Sequence, residues 1–164
     1  MKLTVLFAVL FATLAWLVAA CATPVPAPQT AVDAVIKSRG RPTATYALQP
    51  SGQRLEYASG PWGRTTWMID VDDAGRVTQS RQVLGEGEFL LVQSQPPMPR
   101  EALLRWIGTP GERRGARGGG ETWSWRYPTN DCLWFQVSID AEGLVRGGAL
   151  AIDPTCDSPS DARD

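Results

Sequence analysis

The feature that most constrains this chain is that it repeats its own layout. Shifting the sequence by 68 residues, without a gap, lays residues 34–77 on residues 102–145. Gly40 then falls on Gly108, Pro42 on Pro110, Gly52 on Gly120, Asp72 on Asp140, Gly75 on Gly143 and Val77 on Val145. Identity across the window is modest. The matches fall where backbone geometry asks for glycine, proline or aspartate, at helix stops and tight turns. Between them the apolar classes agree, Trp67 with Phe135, Ile69 with Val137 and Val71 with Ile139. The 164 residues allow one ordinary domain or two small lobes, and the repeat points to two units of one plan.

Each unit opens helical and then alternates. Val32, Val35 and Ile36 share a helical face behind Thr30, a cap residue with Asp33 three positions on. Gly40 and Pro42 stop that helix. Residues 53–58 read as a strand, and Gly60-Pro61-Trp62-Gly63 as a turn. Next, Trp67, Ile69 and Val71 alternate with Thr66, Met68 and Asp70, and residues 76–83 return as a third strand. The second unit has a helix behind Pro99 and Glu101 with Leu103, Leu104 and Ile107 inward, then a long loop over residues 111–120. Strand 122–127, the alternation of Leu133, Phe135, Val137 and Ile139, and a last strand with a bulge or close contact at Gly147-Gly148 follow. The fold class expected is α+β: two tandem units, each a short helix on a three-stranded antiparallel sheet. The divisions are 30–84 and 100–156 for the units and 85–99 for a connector, with 157–164 as a flexible tail. In the connector, residues 89–92 form a helical turn or an extended piece before Pro96 and Pro97 break it.

Residues 1–20 belong to neither unit. Lys2 precedes a small-and-apolar run that ends Val18-Ala19-Ala20, directly before Cys21. This is the pattern of a secretory signal, and a cysteine at that point resembles the lipobox of bacterial lipoproteins. The resemblance implies cleavage before Cys21, diacylglycerol on its sulfur and acylation of the new N-terminus, a multi-chain membrane anchor. Ala22, where aspartate would retain a lipoprotein at the inner membrane, implies outer-membrane sorting. The alternative is an uncleaved transmembrane helix, for which the run is just long enough. Residues 21–29, with Pro24, Pro26 and Pro28, read as a semi-rigid tether.

With residues 1–20 removed, 15 basic side chains stand against 17 acidic ones, so no overall charge draws the chain to nucleic acid. The chain has no histidine, which excludes Ser-His-Asp and Cys-His catalysis. Asp70, Asp72 and Gly75 begin like a calcium loop, but Ala74 and Arg81 occupy two ligand positions, and a hairpin turn explains the residues. No metal or cofactor is expected, and no catalytic set is visible. Cys132 and Cys156 are read as a disulfide closing a loop of about 25 residues, worth ~3 kcal/mol. Two free thiols, or half a metal site lacking its histidines, are the alternatives. Arg113, Arg114 and Arg117 among the glycines of 115–120 form a solvated loop or a cradle for an anion or headgroup. Trp62, at a turn tip, is a partner anchor or folds back over the sheet. Trp67, Trp123 and Trp125 read as packing residues, whereas Trp134, out of phase with Phe135, is expected to face outward. Trp62, Trp134, Arg113, Arg114 and Arg117 are therefore the candidate partner contacts.

Leu104 to Pro110 (Leu-Arg-Trp-Ile-Gly-Thr-Pro), Glu121 to Tyr127 (Glu-Thr-Trp-Ser-Trp-Arg-Tyr) and residues 137–145 make a combination that resembles the BamE/SmpA-type outer-membrane lipoproteins. Phe89, Val92, Met98 and Glu101 lie near that family's entry motif, with Pro97 in place of its glycine. The first unit matches less well, with Tyr57 for the usual tryptophan. A tandem pair is also similar to the secreted β-lactamase-inhibitor proteins. The resemblance implies a binding protein, not an enzyme: a lipid-anchored lipoprotein on the periplasmic side of the outer membrane, serving envelope assembly or support through envelope-protein partners. The other reading is an inhibitor or binder of a specific secreted enzyme. The matched motifs are structural, so they transfer no functional residue.

Overall fold

Short apolar-alternating stretches separated by glycine-rich turns give a mixed α+β protein, with two antiparallel sheets and three helices among the described residues. The computed structural model describes residues 24–156; the signal-like segment, Cys21 and the tail 157–164 lie outside them. In chain order the first half holds α1 (Val32–Arg39), β1 (Ala44–Ala47), β2 (Gln53–Ala58), β3 (Thr66–Val71) and β4 (Val77–Gln82). The second holds α2 (Glu86–Gln93), β5 (Met98–Pro99), α3 (Arg100–Ile107), β6 (Glu112–Gly115), β7 (Glu121–Arg126), β8 (Leu133–Ile139) and β9 (Leu144–Ile152). A 3₁₀ turn, Pro154–Cys156, ends it. The strand orders are β1-β2-β3-β4 and β5-β9-β8-β7-β6.

The sheets therefore have four and five strands, not three each. The additional strands β1 and β6 pair with the strand that follows, Thr45 opposite Leu55 and Arg113 opposite Trp123. In β6 the run Glu-Arg-Arg-Gly shows no apolar alternation, because an edge strand needs only backbone pairing and charge there deters further pairing. What reads as a loop over 111–120 is thus mostly a hairpin. The connector folds as α2, with Phe89 and Val92 buried, and then as β5. Ala31, not Thr30, precedes α1, because the Thr30 carbonyl is bonded to Val77 N–H at 2.9 Å.

A shift of 68 residues, from Gln53 to Glu121, carries α1, β1 and β2 end to end onto α3, β6 and β7, and places β3 and β4 within β8 and β9. The local physics agrees at equivalent points. A Cβ on Gly52 would lie 2.4 Å from the Val71 carbonyl oxygen, and one on Gly120 2.5 Å from that of Ile139. Asp72 Oδ1 accepts Arg76 N–H and Asp140 Oδ1 accepts Leu144 N–H, both at 2.8 Å. With Asp70 paired to Arg54 at 2.6 Å, these aspartates serve turns and an ion pair.

Two cores result. Val35 of α1 packs with Leu55, Ile69, Val71 and Val77. The larger core joins Phe89, Leu103 and Ile107 of α2 and α3 to Trp123, Trp125 and Phe135. Met68, from the other face of β3, is buried in this second core. That face, opposite Ile69 and Val71, is covered by the second half: Thr66 and Met68 are each 1% exposed. Helix α3 thus lies between the sheets. Trp125 Nε1 donates to the Gly108 carbonyl at 3.0 Å, and Arg54 donates to the Arg105 carbonyl at 2.9 Å. The Glu56 carboxylate, fully buried, accepts from Tyr46 Oη at 2.6 Å and from Thr109 N–H at 2.8 Å.

Gly40 and Gly108 end equivalent helices at φ of 79° and 83°. A Cβ on Gly108 would sit 2.7 Å from Thr66 Cγ2, while one on Gly40 would meet nothing within 4 Å. Gly40→Ala should therefore cost about 2 kcal/mol, the positive-φ extended backbone alone, and Gly108→Ala about 4 kcal/mol, since overpacking adds to it. Urea unfolding of the two variants measures the difference.

Candidate protein-binding face

In β7 and β8 the inward residues are Trp123, Trp125, Phe135 and Val137. The register puts Thr122 opposite Ser138, Ser124 opposite Gln136 and Arg126 opposite Trp134 on the other face, which carries small and polar residues. The corresponding face of the first sheet, with Glu56 and Met68, is covered by α3. All three described helices contribute to the two cores, so none lies on this face of the second sheet.

One end of the face is built around Arg126, 8% exposed. Its guanidinium makes a two-pronged pair with Asp153, through Nε to Oδ2 and through Nη2 to Oδ1 at 2.9 Å. Its Nη1 donates to the Pro61 carbonyl at 2.9 Å. The guanidinium carbon lies 4.6 Å from the Trp62 ring centroid and 5.2 Å from that of Trp134, so a cation stands between two indoles. Trp62 is 71% exposed and Trp134 2%. Asp153 is held in turn. It accepts from Thr155 N–H at 3.0 Å and Thr155 Oγ1 at 2.9 Å, and its own N–H donates to the Cys132 carbonyl at 2.9 Å. Cys132 and Cys156 form a disulfide, which fastens the Pro154–Cys156 turn beneath Asp153. Burial pushes the Asp153 carboxyl up, but the hydrogen bonds from Arg126 and Thr155 together outweigh it and hold it below the ordinary range.

This geometry sorts the candidate contacts. Trp62 stands exposed at a turn tip and rests on Arg126. Trp134 does point away from the core, but the turn that carries Pro61 and Trp62 closes over it through Arg126, so it is a support and not a contact. Its Nε1–H is buried without an acceptor. The three arginines do not converge. Arg113 lies over the Trp123 ring at 4.3 Å, on the core side of the sheet. Arg114 is opposite Thr122, on the polar side, and pairs with Glu112. Arg117 lines a shallow pocket that also contains Glu121, Asp140 and Glu142, a mixed-charge setting unsuited to cradling an anion. Arg126 and Asp153 escaped the sequence reading. Arg126 falls within a tryptophan-rich strand and Asp153 lies 27 residues away, with no motif linking them.

No protein family, characterised protein or solved structure matches the chain.

Removing Arg126 leaves Asp153 buried and uncompensated, so Arg126→Ala should destabilise by about 3 kcal/mol in denaturant titration. The depressed Asp153 gives a signed pH dependence. Its contribution is present above the ordinary carboxyl pKa, about 4, and is lost as pH falls through its lower folded value. Unfolding free energy should therefore fall on acidification below about pH 4, with a shallower fall in Asp153→Asn.

Proposed function

We propose that this chain is a lipid-anchored lipoprotein on the periplasmic side of the outer membrane, acylated at Cys21. Its two BamE/SmpA-like units bind another envelope protein, in outer-membrane protein assembly or envelope support. The observation that carries the binding role is Trp62, 71% exposed, on a buried and fully bonded Arg126 at the end of a helix-free sheet face. A large, rigid aromatic ring with only two side-chain torsions loses little entropy on contact, which is the character of an interface hot spot. The polar Thr122, Gln136 and Ser138 beside it suit a rim that exchanges hydrogen bonds with a partner. The equivalent bounds and turn contacts of the two halves support a tandem reading, and the Cys21 sequence context supports the anchor.

Affinity capture of the acylated protein from intact membranes tests the proposal. An envelope protein should co-purify, and Trp62→Ala should lower its recovery about tenfold, a modest hot-spot loss, without changing the melting temperature. Recovery of a soluble secreted enzyme alone would favour the inhibitor reading, and unchanged recovery with Trp62→Ala would remove this surface from the interface.

A further inference from the structure

The proline-rich segment before α1 is fixed to the domain. Pro24 O accepts from Arg39 Nη2 at 2.9 Å, Pro26 O accepts from Ser80 Oγ at 2.8 Å, and Gln29 N–H donates to Val77 O at 2.8 Å. The chain therefore runs along the edge of β4 as far as Pro24, next to the C-terminal end of α1. Only three residue steps separate Pro24 from Cys21, a reach of roughly 10 Å even when fully extended. An anchor at Cys21 cannot let the domain stand off or turn freely. It holds Arg39 within about one Debye length of the bilayer surface.

The surface at this end suits such a neighbour. Lys37 and Arg41 are exposed beside Arg39, and Arg64 is exposed in the β2–β3 turn. That turn shares the end, since Ser38 and Arg39 line one shallow pocket with Ser59 and Thr65. The chain has no acidic residue between Asp33 and Glu56 or between Glu56 and Asp70, and Glu56 is buried. Val25 and Ile36, 49% and 38% exposed, add apolar surface near the anchor. We infer that the end of the first sheet formed by the α1 C-terminus and the β2–β3 turn rests on the bilayer, with Lys37 and Arg41 against lipid headgroup phosphates. The inference rests on acylation of Cys21 as proposed above. It places Trp62 at headgroup height, where the partner within reach is a protein seated in the same membrane.

The test uses the mature acylated chain, recovered from membranes and reconstituted in phosphatidylethanolamine vesicles containing phosphatidylglycerol. A fluorophore is attached through Lys37→Cys or through Asp73→Cys, and quenching by headgroup-nitroxide lipid is measured. Asp73 lies in the turn at the far end of β3, roughly 20 Å along the strand from the β2–β3 turn, and beside the N-terminal end of α1, where Gly75 O accepts Val32 N–H. Quenching should be about threefold stronger at position 37 than at position 73, and a Gly-Ser insert of about ten residues after Ala22 should remove the difference. Equal quenching at the two positions, or no effect of the insert, overturns the inference. Mass analysis of the same samples separates the readings: an unacylated N-terminus removes the anchor itself, whereas an acylated chain with equal quenching overturns the orientation alone.

Discussion

Helix α3 serves two sheets at once, and the contact on which this depends is a buried carboxylate. Glu56 has no access to solvent, so its desolvation must be offset locally. It is offset by the hydroxyl of Tyr46, from the same sheet, and by the backbone N–H of Thr109, just past the end of α3. The Thr109 amide lies beyond the helix ladder and needs an acceptor, so donor and acceptor satisfy each other across the junction of the two halves. Gly108 makes the approach possible, because any side chain there would collide with Thr66. Arg54 and Trp125 extend the same junction, one bonding the Arg105 carbonyl and the other that of Gly108. Burial of Met68, Thr66 and the inner face of α3 follows from that placement.

The second sheet has no such cover on its corresponding face, and this asymmetry produces the candidate interface. Where Glu56 meets a helix end in the first sheet, the equivalent Ser124 meets Gln136 of its own sheet at 3.0 Å. Where Ala58 ends β2, the equivalent Arg126 ends β7 and draws in Pro61, Trp62, Trp134 and Asp153. The disulfide acts at one remove. It fixes the turn after β9, the turn fixes Asp153, and Asp153 fixes the cation under Trp62. The cation on which Trp62 rests is therefore tied to a covalent bond in the other half of the molecule.

Much of the fold was legible in the residues. The period-two alternation of Ile69 and Val71, or of Phe135 and Val137, names the core-facing side of each central strand, because burial of one sheet face imposes that period. The glycines at 40, 52, 75 and their counterparts mark turns and close approaches that backbone sterics dictate. The edge strands β1 and β6 were not legible, since backbone pairing at an edge leaves no hydrophobic period behind. The site was half legible. Trp62 stood out by its turn, while Trp134 was assigned to the surface because phase gives the face of a residue but not what comes to cover that face.

What the sequence by itself determined is local: the helix stops, the turns at residues 72–75 and 140–143, the inward phase of the central strands and a side-chain chemistry without histidine. These depend on residues within a few positions of one another. The tertiary structure alone decided which faces are covered. Met68 joined the second core from the far face of β3, Trp134 became a support and not a contact, and Arg126 found Asp153 across 27 residues of chain. Solvation is a property of neighbours in space, and buried charges select partners by distance and geometry, neither of which a one-dimensional pattern encodes.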